Sequence, residues 1–360
     1  MSDTTTAAAG GPAPASVPQP SLTHRRLPRW APAATAAVSI ALGVGIGAGA
    51  SLSSHVQWGL IALALFVGGT YAVTARVEGT RQAKDRVATS LVWACFVVAV
   101  VPLYSLVETT ISKGAKIIDG HFLTHSMSGV LNTEAGGGVY HAIIGSLEQV
   151  GLASLIAIPV GMLTAIYLVE YGRGALARTV TFFVDVMTGI PSIVSGLFIL
   201  AFWILILGFG FSGFAGSLAL AILMIPIVVR STEEMLKLVP NELREASLAL
   251  GVPKWRTILK VVLPTSIGGI LTGVMLAVAR IAGESAPILL LVFGNPAINN
   301  DPFHNPQSSL PYFVYEQYTL GTDASYDRAW GAALVLIAFV MILNLLARGI
   351  ARWKAPKTGR

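Results

Sequence analysis

Eight stretches of this chain are apolar for long enough that almost only a membrane can accommodate them. They run at roughly 33–53, 58–74, 88–107, 142–169, 180–207, 214–229, 261–293 and 330–347, each near or above the ~20 residues a helix needs to cross a bilayer. Composition agrees. Charged residues make up 12% of the 360 and mean hydropathy is +0.70, whereas an ordinary soluble domain carries ~25% charge. The fold class expected is therefore all-α, a polytopic membrane protein with about eight transmembrane helices.

The formal charge of +6 invites a nucleic-acid reading, which the placement of the charges removes. With the eight crossings above, 20 of the 24 Lys and Arg fall on one side, Lys113, Lys116 and Arg328 on the other, and Arg280 inside. That asymmetry is the positive-inside signature, so it marks the cytoplasmic side without any nucleic-acid partner and puts both termini there. The single cysteine, Cys95, lies in an apolar run, leaving no internal disulfide framework and no zinc pattern.

Along the chain, residues 1–30 are rich in Ala, Pro, Ser and Thr and end in Arg25, Arg26 and Arg29; a disordered cytoplasmic tail is expected. The first apolar run starts far from Met1, so it reads as a retained anchor rather than a cleaved signal. A transmembrane hairpin with a basic linker follows over 31–87, a larger transmembrane domain over 88–353 and a short basic tail over 354–360. In the hairpin Gly43 and Gly47, and likewise Gly45 and Gly49, stand four apart, a spacing that fits close helix contact or plain small-residue packing equally. The runs at 142–169 and 261–293 exceed one bilayer thickness and contain Pro159, Pro264 and Pro287, so tilting, bending or extension beyond the membrane is expected. The outer segments 108–141 and 294–328 are too short for an independent core. Asp119, His121 and His125 lie close together in the first of them, but two His in a polar loop are more often solvated than metal-bound, and no metal ligand is assigned.

Four charges fall inside apolar runs: Glu148, Asp185, Arg280 and Glu284. Each costs ~2.5–3.5 kcal/mol on insertion-based scales, so a chain that keeps them has a partner or a use for them. Arg280 and Glu284 are four apart, which on one continuous helix places both side chains on one face. Two roles fit the pair. One is a self-neutralising ion pair that keeps helices in register. The other is an anion site in a water-accessible pathway, where the guanidinium offers forked donors to a tetrahedral oxyanion. For Glu148 and Asp185, near run ends, a helix-end or interhelical hydrogen bond is the stronger expectation.

One polar stretch, PNELREASLALGVPKWRTILKVVLP at 240–264, interrupts the apolar pattern. Leu243, Ala246 and Leu250 recur at helical spacing, and Gly251 stands where a left-handed residue would end the helix. Pro253 suits the first turn of a second short helix. At ~1.5 Å per residue the first piece is roughly 15 Å long, suited to lying along the membrane surface. Ala246, Ser247 and Ala249 are small enough for close docking into a groove, although a plain solvated amphipathic helix fits the pattern as well.

This stretch resembles the cytoplasmic coupling loop of ABC-transporter permeases, Glu-Ala-Ala, three residues, Gly, nine residues, Ile-x-Leu-Pro. Glu245, Ala246, Gly251, Leu263 and Pro264 stand in register, while Ser247 replaces the third small residue and Val261 the Ile. The run ARIAGESAPILL at 279–290 is similar to a stretch of the PstA family of phosphate ABC-transporter permeases, with Ser285 where Thr is usual. Further stretches agree: GGGVYHAIIGSLEQVGLASLIAIPVGMLTAIYLVEYG from Gly136, DVMTGIPSIVSGLF from Asp185 and RSTEEMLKLVPNELREASLALG from Arg230. The Ser-Leu-Pro at 309–311 fits too, and the Ala-Pro after Ser285 favours PstA over its sister PstC. The hairpin at 31–87 lies outside the likeness.

The resemblance implies a type I ABC-importer permease core with a cytoplasmic coupling segment at 231–260, in which Glu245, Ala246, Ser247 and Gly251 face the ATPase. It implies a homologous PstC-like permease, two PstB-like ATPase subunits and an extracytoplasmic PstS-like phosphate-binding protein as partners, with lipid around them in the plasma membrane. With phosphate as the cargo, the intramembrane Arg280 and Glu284 become the expected substrate-pathway residues. No GxxxxGK[ST] stretch occurs, so no nucleotide site, catalytic residue or cofactor is expected in this chain itself. Rival readings are a permease for sulfate or molybdate, a proton-coupled secondary carrier using Glu148, Asp185 and Glu284 as a relay, and a non-transporting scaffold.

Overall fold

The structure, a computed structural model, describes residues 27–28, 30–50 and 55–354. The expected N-terminal and C-terminal tails therefore lie almost wholly outside the described residues. The chain divides into two compact units between Ser105 and Leu106, within one long helix that also contains the boundary expected at residue 87.

The first unit is built from α1 (Ala31–Gly49), α2 (His55–Val77) and most of α3 (Thr80–Gly114). Of the two glycine series in α1, only one makes the close contact. A Cβ at Gly43 would come within 2.7 Å of the Ala62 side chain and one at Gly47 within 2.3 Å of the Trp58 ring, whereas Gly45 and Gly49 face open space. Small residues thus let the two helices approach along one stripe. At the basic end, buried Glu78 accepts from Arg86 at 2.6 Å and from the Leu27 amide.

The second unit holds α4 (Gly120–Thr124), α5 (Tyr140–Ile166), α6 (Gly174–Gly189), α7 (Ser192–Ile199), α8 (Gly213–Lys237), α9 (Asn241–Ala249), α10 (Lys254–Thr257), α11 (Leu263–Ala282), α12 (Ala286–Leu291), α13 (Leu310–Leu320) and α14 (Asp323–Lys354). The five-residue π-helical segment Tyr167–Tyr171 extends α5, and Leu200–Ile206 extends α7 in the same way. Among the described residues only one isolated bridge, Phe293 to Gln307, departs from helix and loop.

α8 is the axis of this unit and packs against α5, α6, α7, α11 and α12. Its partner α5 presents Ala153, Ala157, Gly161 and Ala165, all buried and four residues apart. That stripe carries so little side chain that a Cβ at Gly161 would sit 2.7 Å from Val228 of α8. Leu220, Met224, Val228 and Val229 of α8 complete the core with Ile270, Val274 and Ile281 of α11. At the end of the bundle opposite α9, Phe122, Leu310, Phe313 and Ala332 form a smaller cluster. There Arg328 is fully buried. It donates to Gln317 Oε1 at 2.7 Å and to the carbonyls of Asn132 and Glu134 at 2.8 Å each.

Among the described residues seven helices are long and apolar enough to cross a bilayer, and the pair Gly174–Gly189 with Ser192–Ile206 makes up to eight if this bent pair is one span. Two expected runs are not continuous. The run at 180–207 bends by 107° at 189–191, because Pro191 biases Ile190 to an extended conformation, φ −71° and ψ 127°. The run at 261–293 is interrupted after Ala282, because Pro287 has no amide to donate and its ring opposes a helical carbonyl at Gly283.

Candidate functional site

The two breaks meet. Met187 and Thr188 end α6, Ile190 and Pro191 form its bend, and Ser192 begins α7. With Leu223, Pro226 and Ile227 of α8 and Arg280, Ile281 and Glu284 they enclose a cavity of about 180 Å³, far above the ~10–15 Å³ that admits one water. Proline therefore makes the cavity twice: Pro191 turns α6 away from the wall that α7 continues, and Pro226 interrupts the ladder within α8.

Arg280 sits two residues before the end of α11, and Glu284 lies in the short link before α12. They are consequently not on one helical face as the four-residue spacing predicts. Gly283 takes φ −98° and ψ 0°, which re-aims the backbone at Glu284. Both nevertheless line the same cavity. Among the described residues no ion pair joins Arg280 to Glu284 or to any other carboxylate. The cavity thus holds a free forked cation and a separate carboxylate, and the Ser192 hydroxyl adds a neutral partner, while that of Thr188 donates to the Val184 carbonyl at 2.8 Å. An anion with several oxygens finds donors here, and one that carries a proton also finds an acceptor.

Glu148 and Asp185 lie elsewhere. Glu148 accepts from Gln307 Nε2, and Gln307 Oε1 in turn accepts from Gln149 Nε2 at 3.1 Å. Asp185 accepts from Arg230, which also reaches Glu233 at 2.8 Å, and Lys237 reaches Glu233 at 2.6 Å. Asp185 is thus an interhelical hydrogen-bond partner and Glu148 a partner of the loop before α13, both outside the cavity lining.

The polar stretch folds as one short helix, α9, followed by α10, which is not a second separate piece but continues through the π-helical segment Ile258–Val262 into α11. Glu245 and Ala246 are exposed, as are Leu243 and Leu250. Gly251 has φ +77°, the left-handed conformation expected of it. Ser247 departs from the expected outward set: it is buried and its hydroxyl lies 2.9 Å from that of Thr257 in α10. A serine at that position fastens the two helices together, which an exposed docking residue would not do. Pro253 precedes α10 as its cap instead of standing in its first turn.

Sequence reasoning missed Thr188, Ser192, Arg230, Arg244 and the Gln149–Gln307 pair. The Gly189-Ile190-Pro191 step signals a helix break and was the available cue for the first two. Buried amide pairing leaves no such pattern. His121 and His125, set aside as solvated, stack their rings at 3.8 Å between centroids.

The fold is shared with solved ABC-transporter structures. One, a bacterial alginate ABC transporter in complex with an alginate-bound periplasmic protein, aligns at a TM-score of 0.54 with 17% identity, covering 78% of this chain and all of that one. Residues 157–360 match the family of binding-protein-dependent transport system inner membrane components. Fold, bent-helix cavity and exposed polar helix together define the class: the membrane-spanning component of such a transport system. The phosphate transport system permease protein PstA 1 of Mycobacterium tuberculosis H37Rv is 50% identical over 268 residues, 74% of this chain and 87% of that protein. PstA of Mycobacterium leprae is 49% identical over 266 residues, and PstA of Yersinia pestis 42% over 277, covering 88% and 92% of those proteins. The chain belongs to this family, the PstA-type permeases among the binding-protein-dependent transport components.

Proposed function

We infer that the chain is the PstA-type permease subunit of an ATP-driven importer of inorganic phosphate. The observation that carries the substrate site is the cavity in which Arg280 stands unpaired, with Glu284 on the same wall. Arg280 binds the phosphate oxygens in transit, and Glu284 accepts the proton that phosphate keeps at neutral pH. A carboxylate nearby also keeps the anion from binding too tightly to leave.

Transport proceeds by alternating access. Closure of two PstB-like ATPase subunits on ATP moves α9, whose outward Glu245 and Ala246, with Gly251 at its end, meet the ATPase. The helices around the cavity then exchange outward and inward openings. A PstC-like sister permease completes the pathway, and a PstS-like binding protein delivers phosphate from outside. ATP stays on the partner subunits, and the chain carries no catalytic residue, cofactor or metal of its own. It sits in the plasma membrane with both termini cytoplasmic, as its basic residues direct.

Labelled phosphate uptake tests this in cells lacking the subunit but supplying the other components. The intact chain restores uptake that sulfate does not inhibit, and Arg280→Gln at equal membrane level loses it. Restoration of sulfate or molybdate uptake instead moves the assignment to another oxyanion. Uptake that persists without ATP and collapses with the proton gradient points to the secondary carrier. Full transport by Arg280→Gln returns Arg280 to a structural role.

A further inference from the structure

α9 is nine residues long and largely exposed, so any push it receives must pass through few contacts. Beside its packing on α10 and on the segment that follows it, one side chain ties it to α8 and to the end of α5. Arg244 Nε donates to Glu170 Oε1 at 3.0 Å, Nη1 to the Val239 carbonyl at 2.5 Å and to Asn241 Oδ1 at 3.3 Å, and Nη2 to the Leu236 carbonyl at 2.8 Å. Three of these four groups belong to other elements or to the turn between them: Leu236 is in the last turn of α8, Val239 follows it, and Glu170 lies in the π-helical extension of α5.

The receiving segment is engaged twice. Lys254 of α10 donates to the Glu170 carbonyl and lies 4.8 Å above the Tyr171 ring, while Ser247 and Thr257 join α9 to α10. Both short helices therefore converge on residues 170–171. The Glu170 carboxylate is almost fully covered, 6% exposed, against 16% for Arg244. Beyond Glu170 the small-residue stripe of α5 runs along α8, and α8 supplies Leu223, Pro226 and Ile227 to the cavity.

We propose that Arg244 is the positioning residue that carries the displacement of α9 into α5 and α8, with Glu170 as its receiver. The proposal rests on the reading of α9 as the ATPase-docking helix. A guanidinium suits this task because its planar fork holds several acceptors at fixed angles, so the end of α8, the turn after it and the Glu170 side chain move with it as one body. A lysine supplies one charge and no fork.

The test uses the complete importer in liposomes, with phosphate-loaded binding protein outside, and reads phosphate moved per ATP hydrolysed. In Arg244→Gln the ATPase subunits co-purify at unchanged stoichiometry and hydrolyse ATP. Stimulation by the loaded binding protein and phosphate moved per ATP both fall about tenfold. Arg244→Lys recovers little of this. Glu170→Gln lowers the same ratio less, and combined with Arg244→Gln it adds nothing, as expected of residues acting through one contact. Should Arg244→Gln fail to accumulate, Glu170→Gln reads the ratio alone. An unchanged ratio, losses that multiply in the double variant, or ATPase subunits lost from Arg244→Gln overturns the proposal. Leu250→Asp, on a residue 84% exposed, separates the two readings. If it leaves ATPase recruitment intact, the docking assignment of α9 fails whatever Arg244 does.

Discussion

Arg280 and Arg328 house their charges in opposite ways. Arg328 is fully enclosed and its donors end on Gln317 and on the carbonyls of Asn132, Glu134 and Gly136. Arg328→Met leaves those acceptors buried without a donor. At ~1–3 kcal/mol for each orphaned group, a loss of about 3 kcal/mol or more is expected, read as a lower unfolding midpoint in detergent and a lower membrane level. Arg280 has no ion-pair partner among the described residues and lines a cavity, so Arg280→Gln leaves the midpoint unchanged while abolishing uptake. Equal midpoints for the two variants would show that Arg328 is not the clamp its contacts describe. Glu284 makes the third case. Phosphate offers its carboxylate a proton and sulfate does not, so Glu284→Gln removes the repulsion that excludes sulfate. Sulfate then competes with phosphate for uptake at concentrations that leave the native chain unaffected, and unchanged selectivity in a folded variant overturns that role.

Among the elements, α9 depends on how it ends. Gly251 takes φ +77° and a Cβ there would meet nothing within 4 Å, so the requirement is conformational rather than spatial. The left-handed region costs an ordinary L residue ~1–2 kcal/mol, with Asn the best tolerated after Gly. Gly251→Asn is therefore expected to keep the ATPase subunits through purification and Gly251→Val to lose them. Retention by Gly251→Val sinks the argument that this turn sets the docking surface. The same local chemistry explains what was legible in the sequence. Gly251 announced its turn because only backbone sterics are involved, and the apolar runs announced the helices because bilayer thickness fixes their length. The common placement of Arg280 and Glu284 was also legible, but not its geometry. Their spacing assumes a continuous helix, and Pro287 removes it. Ser247 was misread because helical periodicity cannot say which side of a short helix meets the protein. Arg244 carried no signal, since two of its acceptors are backbone carbonyls that any residue possesses and its carboxylate partner Glu170 is 74 residues away in the chain.

For the whole molecule the number of crossings decides the orientation. Counting the bent pair at 174–206 as one span gives eight among the described residues, an even number, so both termini are expected on the side on which 20 of the 24 Lys and Arg fall. The two helices α1 and α2 add an even contribution. Removing residues 1–77 leaves Arg81, Lys84 and Arg86 at the start of α3, and those charges hold the new N-terminus in the cytoplasm. The shortened chain is then expected to insert with its C-terminus still cytoplasmic and to restore phosphate uptake with the other components. Removing α1 alone, residues 31–49, leaves an odd number and sets the basic residues near α3 against the N-terminal Arg25, Arg26 and Arg29, so uptake is expected to be lost. A fluorescent protein fused at the C-terminus, which matures only in the cytoplasm, reads the orientation of each variant beside its uptake. A bright, transporting chain without α1 would mean that the bent pair does not cross the membrane as one span.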